Sequence, residues 1–323
     1  MKYGGFIISL DFELHWGAVE NWDLAVKGKC FDQTRNTIPL ILDLFNKYEV
    51  HATWATVGFL FAKNKQQLLE FCPKLKPTYT NKDLYYYKLI ENNEIGEDET
   101  DDPYHFAPSI IKKIIETPHQ ELASHTFTHY YCNELGQTVE QFSEDLRAAQ
   151  NLAKANFNIE LRSLVFPRNQ FNKNYIEAAG KNGFKVVRSN PDVWFWKEKF
   201  LKYSSIFRAI DTLLPISSSL TFTHSEEQNN VLLSPASRFF RPFSAKEKSI
   251  QKLKARRVKS EMLYAAKNGE YYHLWWHPCN FGDFPEENLA YLEDILCYYN
   301  ELKTNYGFSS KTMFEMSKED NSN

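Results

Sequence analysis

Short apolar runs that end in polar residues alternate along this chain with segments whose apolar residues recur at helical spacing. The run Gly5–Leu10 stops at Asp11, as a buried strand of a parallel sheet does. Ile38, Ile41, Leu42 and Phe45 share one helical face. We predict strands at 5–10, 52–61, 121–129, 163–166, 185–188, 271–276 and 311–316, and helices at 37–48, 109–116, 138–157, 174–182 and from 285 onward.

This alternation predicts an α/β fold with a parallel sheet and right-handed crossovers. About seven strand–helix units are present, which is enough to close a barrel. We predict a single domain over 1–323, with an insertion or lid at 63–105 and a helical insertion at 197–268. The first of these segments carries an acidic string and the second a basic stretch.

Composition narrows the function classes. Among 323 residues, 38 Lys and Arg oppose 41 Asp and Glu, and a net charge of −3 argues against nucleic-acid binding through a general basic field. Aromatic residues reach 15%, which suits a sugar-binding protein and equally a Phe- and Tyr-rich core. The first apolar run is too short for a signal-peptide core, and no stretch is long enough to span a bilayer. Five scattered cysteines indicate a reduced, cytoplasmic chain.

Polar side chains cluster where the predicted strands end, which is where parallel barrels carry their chemistry. Asp11 and Glu13 lie two residues apart, so both face the same way on an extended segment, either as a site or as a satisfied acid pair. His125 and His129 lie four residues apart, and two imidazoles with one carboxylate form a common catalytic zinc set. His277 follows a late strand, where it is either structural or a general acid.

Four stretches resemble the polysaccharide deacetylases of the NodB-homology type. Ser9–Glu13 is similar to the family's first motif, Ala52–Gly58 to its second strand, Gln120–His129 to its histidine motif and His273–His277 to its late Leu-x-x-His motif. The continuation from His277 to Gly282 resembles a branch found in surface-polysaccharide biosynthesis. The resemblance implies a distorted (β/α)7 barrel with insertions, and removal of N-acetyl groups from sugars with a divalent metal, for which we expect Zn²⁺.

The resemblance also implies roles. His125 and His129 match metal ligands, Asp11 matches the base and His277 matches the acid. The family's second Asp, a metal ligand, falls at Phe12, which cannot ligate; we therefore expect Glu13 to be the third ligand, with the reverse assignment of Asp11 and Glu13 open.

Two further residues match less closely. Arg168 follows Pro167, whereas the family places its arginine before a proline-containing turn; we expect Arg168 to hold a carboxylate charged. We expect Asp192 to orient His277.

These features favour a metal-dependent N-deacetylase acting on an N-acetylated sugar or glycan precursor of a cell-surface polysaccharide. One alternative is a hydrolase of cyclic amides on the same barrel. The other is a metal-free carbohydrate-binding or assembly protein, since the first motif is altered. The oligomeric state does not follow from these patterns.

Overall fold

The computed structural model describes residues 4–191, 193, 211, 220–223 and 225–320. Its strands are β1 (Gly5–Phe12), β2 (Ala52–Thr56), β3 (Gln120–Ser124), β4 (Ser163–Leu164), β5 (Val186–Ser189), β6 (Glu226–Gln228), β7 (Val231–Pro235), β8 (Arg238–Phe239), β9 (Tyr272–Trp276) and β10 (Ser309–Lys311). Its α-helices are α1 (Leu24–Lys47), α2 (Lys65–Phe71), α3 (Tyr87–Glu91), α4 (Pro108–Glu116), α5 (Val139–Phe157), α6 (Lys173–Lys181), α7 (Gln251–Asn268), α8 (Pro285–Tyr306) and α9 (Met313–Asp320).

These strands form one curled sheet in the order β6-β7-β5-β4-β3-β2-β1-β9-β8, with β10 paired to β1. Every pairing is parallel except that of β6 with β7. The sheet curls back on itself, because only Ala236 and Ser237 separate β7, which pairs with β5, from β8, which pairs with β9. Ala236 N–H donates to Ser189 on one side, and Ser237 N–H donates to His273 on the other. The carboxyl ends of the parallel strands therefore surround one rim.

The core follows from the apolar runs. All eight residues of β1 are buried, as expected for a strand covered on both faces. Helix α1 packs Phe31, Ile38 and Phe45 into the same cluster of buried residues. Each such side chain contributes about 1.5–3 kcal/mol when it is fully buried.

Several predicted elements are confirmed. Helix α5 begins with the predicted capping box, in which the Thr138 side chain accepts from Gln141 N–H and the Gln141 side chain accepts from Thr138 N–H. The predicted strands 52–61 and 121–129 end earlier than expected, at Thr56 and Ser124, because the backbone turns into rim loops there.

The predicted strand at 311–316 is wrong. Only Ser309–Lys311 is a strand, and helix α9 begins at Met313. A second capping box explains the change, because Glu315 N–H donates to Thr312 Oγ1 and Thr312 N–H donates to the Glu315 carboxylate. That local pairing favours a helix over the strand suggested by the apolar residues.

The two predicted insertions have different outcomes. Within 197–268, residues 226–239 include strands of the sheet rather than helix, and residues 232–235 pair with β5. Residues 251–268 form α7. Residues 194–210 and 212–219 lie outside the described residues, as does Asp192, so the count of seven strand–helix units stays a prediction. In 63–105 the acidic string caps backbone N–H groups, as Asp102 does for Gly96 and Tyr104. Whether this segment acts as a lid stays a prediction.

Within the described part of the chain, no helix combines the length and the apolar character that crossing a bilayer requires.

Candidate active site at the rim of the sheet

Two carboxylates, Asp11 and Glu13, lie at the carboxyl end of β1, on the rim of the sheet. Phe12, between them, points into the core and packs edge-on against Trp54 with ring centroids 6.4 Å apart. Asp11 Oδ2 and Glu13 Oε1 lie 3.8 and 3.6 Å from His277 Nε2. The strand alternation therefore brings both carboxylates to one place, as the sequence predicts.

The loop after β3 carries both predicted histidine ligands. Its backbone is fixed by Asp145 of α5, which accepts from Phe127 N–H at 2.6 Å, Thr128 N–H at 3.2 Å and Thr128 Oγ1 at 2.6 Å. Thr126 and His129 have φ values of 64° and 57°, which is rare for residues other than glycine. Such a conformation costs free energy and persists because the surrounding contacts hold it.

Positive φ recurs in the neighbouring rim loops. Leu14, Arg168 and Asn169 have φ of 48°, 52° and 53°. The loops after β1, β3 and β4 thus each carry at least one non-glycine residue in a conformation that persists only where the surrounding structure holds it.

Glu13 and the two histidines converge on one point. His125 Nε2 lies 2.8 Å and His129 Nε2 lies 3.2 Å from Glu13 Oε1, and all three side chains are buried. His125 Nδ1 lies 2.8 Å from the Val165 carbonyl, which only accepts. In the neutral imidazole, the form that binds metals, Nδ1 therefore carries the proton and Nε2 a lone pair. That Nε2 has no hydrogen-bond partner of acceptable geometry within the described residues, despite its short distance to the carboxylate.

This arrangement suits a divalent cation. Two imidazole nitrogens and a carboxylate oxygen lie within 4.8 Å of one another, and so do the candidate ligand atoms of Asp11, Glu13 and His277. An unpartnered lone pair facing a carboxylate is repulsive unless a positive charge lies between them. Glu13, His125 and His129 therefore fit a metal with nitrogen and oxygen ligands and an open position.

The pKa shifts of Glu13 and His129 are those expected of metal ligands. Burial opposes the charge on Glu13, but the neighbouring histidines outweigh it and hold its pKa well below the usual range. Burial lowers the pKa of His129, although Glu13 partly opposes this shift. At neutral pH the carboxylate is thus ionised and His129 is neutral, which are the forms that bind metals.

Asp11 is held by an arginine that is not among the residues predicted from the sequence. Arg188, in β5, donates Nη1 to Asp11 Oδ1 at 2.6 Å and Nη2 to Asp11 Oδ2 at 2.7 Å. Its guanidinium lies 4.3 Å from the centre of the Trp275 ring. Burial would raise the pKa of Asp11, but Arg188 and then His125 and His277 lower it below the usual value. A buried arginine in an otherwise apolar strand was the one signal in the sequence that could have identified it.

Arg168, predicted to hold a carboxylate charged, pairs with Glu20 and stacks 4.5 Å from the centre of the Tyr131 ring. The arginine on Asp11 is thus Arg188, because β5 lies deeper in the sheet than the turn that carries Arg168. The predicted orienting residue Asp192 is outside the described residues.

His277 and His273 differ in environment although both belong to the predicted late motif. The side chain of His277 is 29% exposed beside the two carboxylates, so it is accessible from the rim. His273 is fully buried, with Nε2 2.8 Å from Ser9 Oγ, and burial followed by Arg188 lowers its pKa to about 3. His273 is therefore a neutral structural residue.

Comparisons with known proteins give a family match for part of the chain. Residues 28–187 match the family described as Polysaccharide deacetylase. The matched range contains His125 and His129 but not Asp11, Glu13 or His277.

The fold is shared with solved structures of low sequence identity. A putative polysaccharide deacetylase from Mycobacterium smegmatis is 11% identical, with a TM-score of 0.62, over 99% of this chain and 91% of that one. The 4-alpha-glucanotransferase from Thermococcus litoralis is 11% identical, with a TM-score of 0.55, over 98% of this chain and 40% of that one.

One curated relative also matches. The Type I restriction enzyme MpnII methylase subunit from Mycoplasma pneumoniae is 27% identical over 186 residues, which is 55% of this chain and 33% of that protein. The match thus spans about a third of the relative's own length.

Proposed function

We propose that this chain, which carries a polysaccharide deacetylase domain, is a metal-dependent hydrolase that removes an N-acetyl group from a sugar in a cell-surface polysaccharide precursor. The observation that carries the proposal is the convergence of Glu13, His125 and His129 beside Asp11 and His277. The five free cysteines support a cytoplasmic precursor as substrate, because thiols persist in a reducing compartment.

Zn²⁺ is the metal that this ligand set favours, since two imidazoles and one carboxylate are a common catalytic zinc set. His125, His129 and Glu13 would hold it. When bound, the metal supplies Lewis acidity toward the acetyl oxygen and toward water. The remaining steps belong to the protein's own side chains.

Asp11 is the base of the proposed reaction. It is ionised at neutral pH, and Arg188 fixes both of its oxygens, so its orientation is set before substrate arrives. It accepts the proton of the water that attacks the acetyl carbon. Its lowered pKa weakens it as a base, which places part of the work of activating water on the metal.

His277 is the acid. It lies beside Asp11 and Glu13 and is partly exposed, so the nitrogen of a bound amide is within its reach. When the C–N bond breaks, the departing amine takes a proton from His277 and the acetyl group leaves as acetate.

Amine release from N-acetylated sugars, measured together with metal content, tests this proposal. We expect wild-type protein to bind one equivalent of Zn²⁺ and to release amine, and His125→Ala to lose most of the metal and all activity. His277→Ala should keep the metal and lose turnover. His119→Ala, exposed at the other end of β3, is the matched control and should behave as wild type. Full metal occupancy in His125→Ala would end the assignment.

A further inference from the structure

The candidate ligand His129 is held from behind by a chain of hydroxyl groups. His129 Nδ1 lies 2.9 Å from Tyr131 Oη, and Tyr131 Oη lies 2.7 Å from Tyr86 Oη. The Tyr86 hydroxyl in turn bonds the carboxylate of Glu20. The histidine and both tyrosines are buried, so water does not compete for these bonds.

The carboxylate sets the direction of the whole chain of hydrogen bonds. The Arg168 guanidinium only donates, so Glu20 serves as an acceptor here. Tyr86 donates to Glu20, and Tyr131 gives its single proton to Tyr86 at 2.7 Å or to Glu20 itself at 3.4 Å. The Tyr131 oxygen is then left to accept from His129 Nδ1–H. Burial raises the pKa of both tyrosines, so both hydroxyls keep their protons. This direction favours a proton on His129 Nδ1, whereas Glu13 Oε1, 3.2 Å from Nε2, competes for the proton at the other nitrogen. A cation between Nε2 and Glu13 removes that competition and leaves the proton on Nδ1.

We propose that Glu20 and Tyr86 are positioning residues of the candidate metal site, which fix the tautomer and the ring orientation of His129 through Tyr131. The inference rests on the proposed function, because it assigns these residues to a metal ligand. The backbone carbonyl of Val165 fixes the tautomer and the ring orientation of His125 in the same way. His129 has only side chains for this task.

Arg168 completes the arrangement. Its guanidinium pairs with Glu20 and lies over the Tyr131 ring, at 4.5 Å from the ring centre. Because a guanidinium donates and never accepts, this pairing makes Glu20 an acceptor and gives the chain of hydrogen bonds its direction.

Tyr86 comes from segment 63–105, which is separate in sequence from both rim loops. Its ring lies nearly parallel to that of His129, at 12° and 6.1 Å between centroids. The segment therefore contributes a buried contact to the site itself, beyond any covering role.

Zinc affinity of Glu20→Gln and Tyr86→Phe, measured by competition with a chromophoric chelator, tests the inference. We expect a loss of about 10–100-fold in each, which is the usual effect of removing an outer partner of a metal-bound histidine. Tyr85→Phe is the matched control, since the Tyr85 hydroxyl bonds Glu91 at 2.8 Å away from the site, and it should bind as wild type.

A second readout needs no metal. In the metal-free protein, ¹⁵N chemical shifts of the His129 ring should report a larger fraction of the Nδ1-protonated tautomer in wild type than in Glu20→Gln, because Glu13 competes for the proton at Nε2 in both. Thermal unfolding of the metal-free variants should remain near that of wild type, which separates positioning from general destabilisation.

The outcomes separate the two proposals. Wild-type zinc affinity in both variants, with metal lost in His125→Ala, would overturn the role of Glu20 and Tyr86 and leave the proposed function standing. A tautomer ratio of His129 that is the same in Glu20→Gln as in wild type would overturn it as well. A wild-type protein that binds no zinc would sink the proposed function and this inference together.

Discussion

Asp11 and Glu13 lie in different electrostatic surroundings although one residue separates them. Asp11 is paired with an arginine through both oxygens, whereas Glu13 faces three imidazoles. A carboxylate that ligates a metal is a poor base, because the charge of the metal holds it ionised. The two surroundings therefore favour the ligand role for Glu13 and the base role for Asp11.

Single isosteric changes separate these two roles. Asp11→Asn should keep its metal and lose turnover by about 10²–10⁴, the usual contribution of a general base. Glu13→Gln should weaken metal binding first. Metal analysis and amine release measure both effects, and Asp43→Asn, exposed on α1, is the control that should change neither. If Asp11→Asn empties the site while Glu13→Gln keeps it full, the roles are reversed.

Replacing Arg188 tests how strongly it lowers the pKa of Asp11. Lysine keeps the positive charge but loses the planar fork that grips both oxygens of Asp11. Because Arg188 lowers the pKa of Asp11, Arg188→Lys should raise that pKa and move the acid limb of kcat/KM to higher pH. A pH–rate profile measures the shift, with the exposed Arg162→Lys as control. An acid limb that does not move would mean that Asp11 is not the group it reports.

At the scale of elements, helix α5 holds the histidine loop through Asp145. Burial raises the pKa of this carboxyl to about 7, although its hydrogen bonds from Phe127 and Thr128 oppose the shift. An acid whose pKa is raised on folding contributes stability below its unfolded pKa, near 4, and loses it as pH rises through 7.

Asp145→Asn removes that pH dependence. We expect the free energy of unfolding of wild type, relative to the variant, to fall between about pH 4 and pH 8, by roughly 1.4 kcal/mol for each unit of pKa shift. Urea unfolding at several pH values measures this difference. A difference that is flat with pH would contradict the buried, partly protonated carboxyl.

The elements also show what the sequence can predict. Buried parallel strands are continuous apolar runs, so β1 and β9 and the polar residues that follow them could be located. Arg188 and Glu20 could not be assigned, because their partners Asp11 and Tyr86 are brought to them only by the tertiary fold. Helix α9 does not follow from the apolar pattern, because the capping box of Thr312 and Glu315 favours a helix where that pattern suggests a strand.

At the scale of the whole molecule, the candidate ligands come from loops after β1 and β3, which are far apart in sequence. Unfolded chains do not hold such groups together, so a metal bound at the proposed site would stabilise the folded state. Zinc at 100 times its dissociation constant should add about 2.7 kcal/mol, and a chelator should reverse the rise in Tm. Calorimetry with and without metal measures this shift, which should vanish in His125→Ala. Equal shifts in both proteins would place the metal elsewhere.

Strand β1 lies between neighbours made at very different times during synthesis. Ala52, the partner of Ile8, is synthesised early, whereas Tyr272, the partner of Phe6, and Ser309, the partner of Gly5, come much later. At about 5–20 residues per second, that delay is on the order of tens of seconds, during which a nascent chain carries an apolar strand with an open edge. A polypeptide truncated before β9 would leave that edge of β1 permanently unpaired and prone to aggregation. It would also lack His277. We therefore expect such a truncated chain to aggregate or to be bound by chaperones, and not to fold into an enzyme of reduced activity.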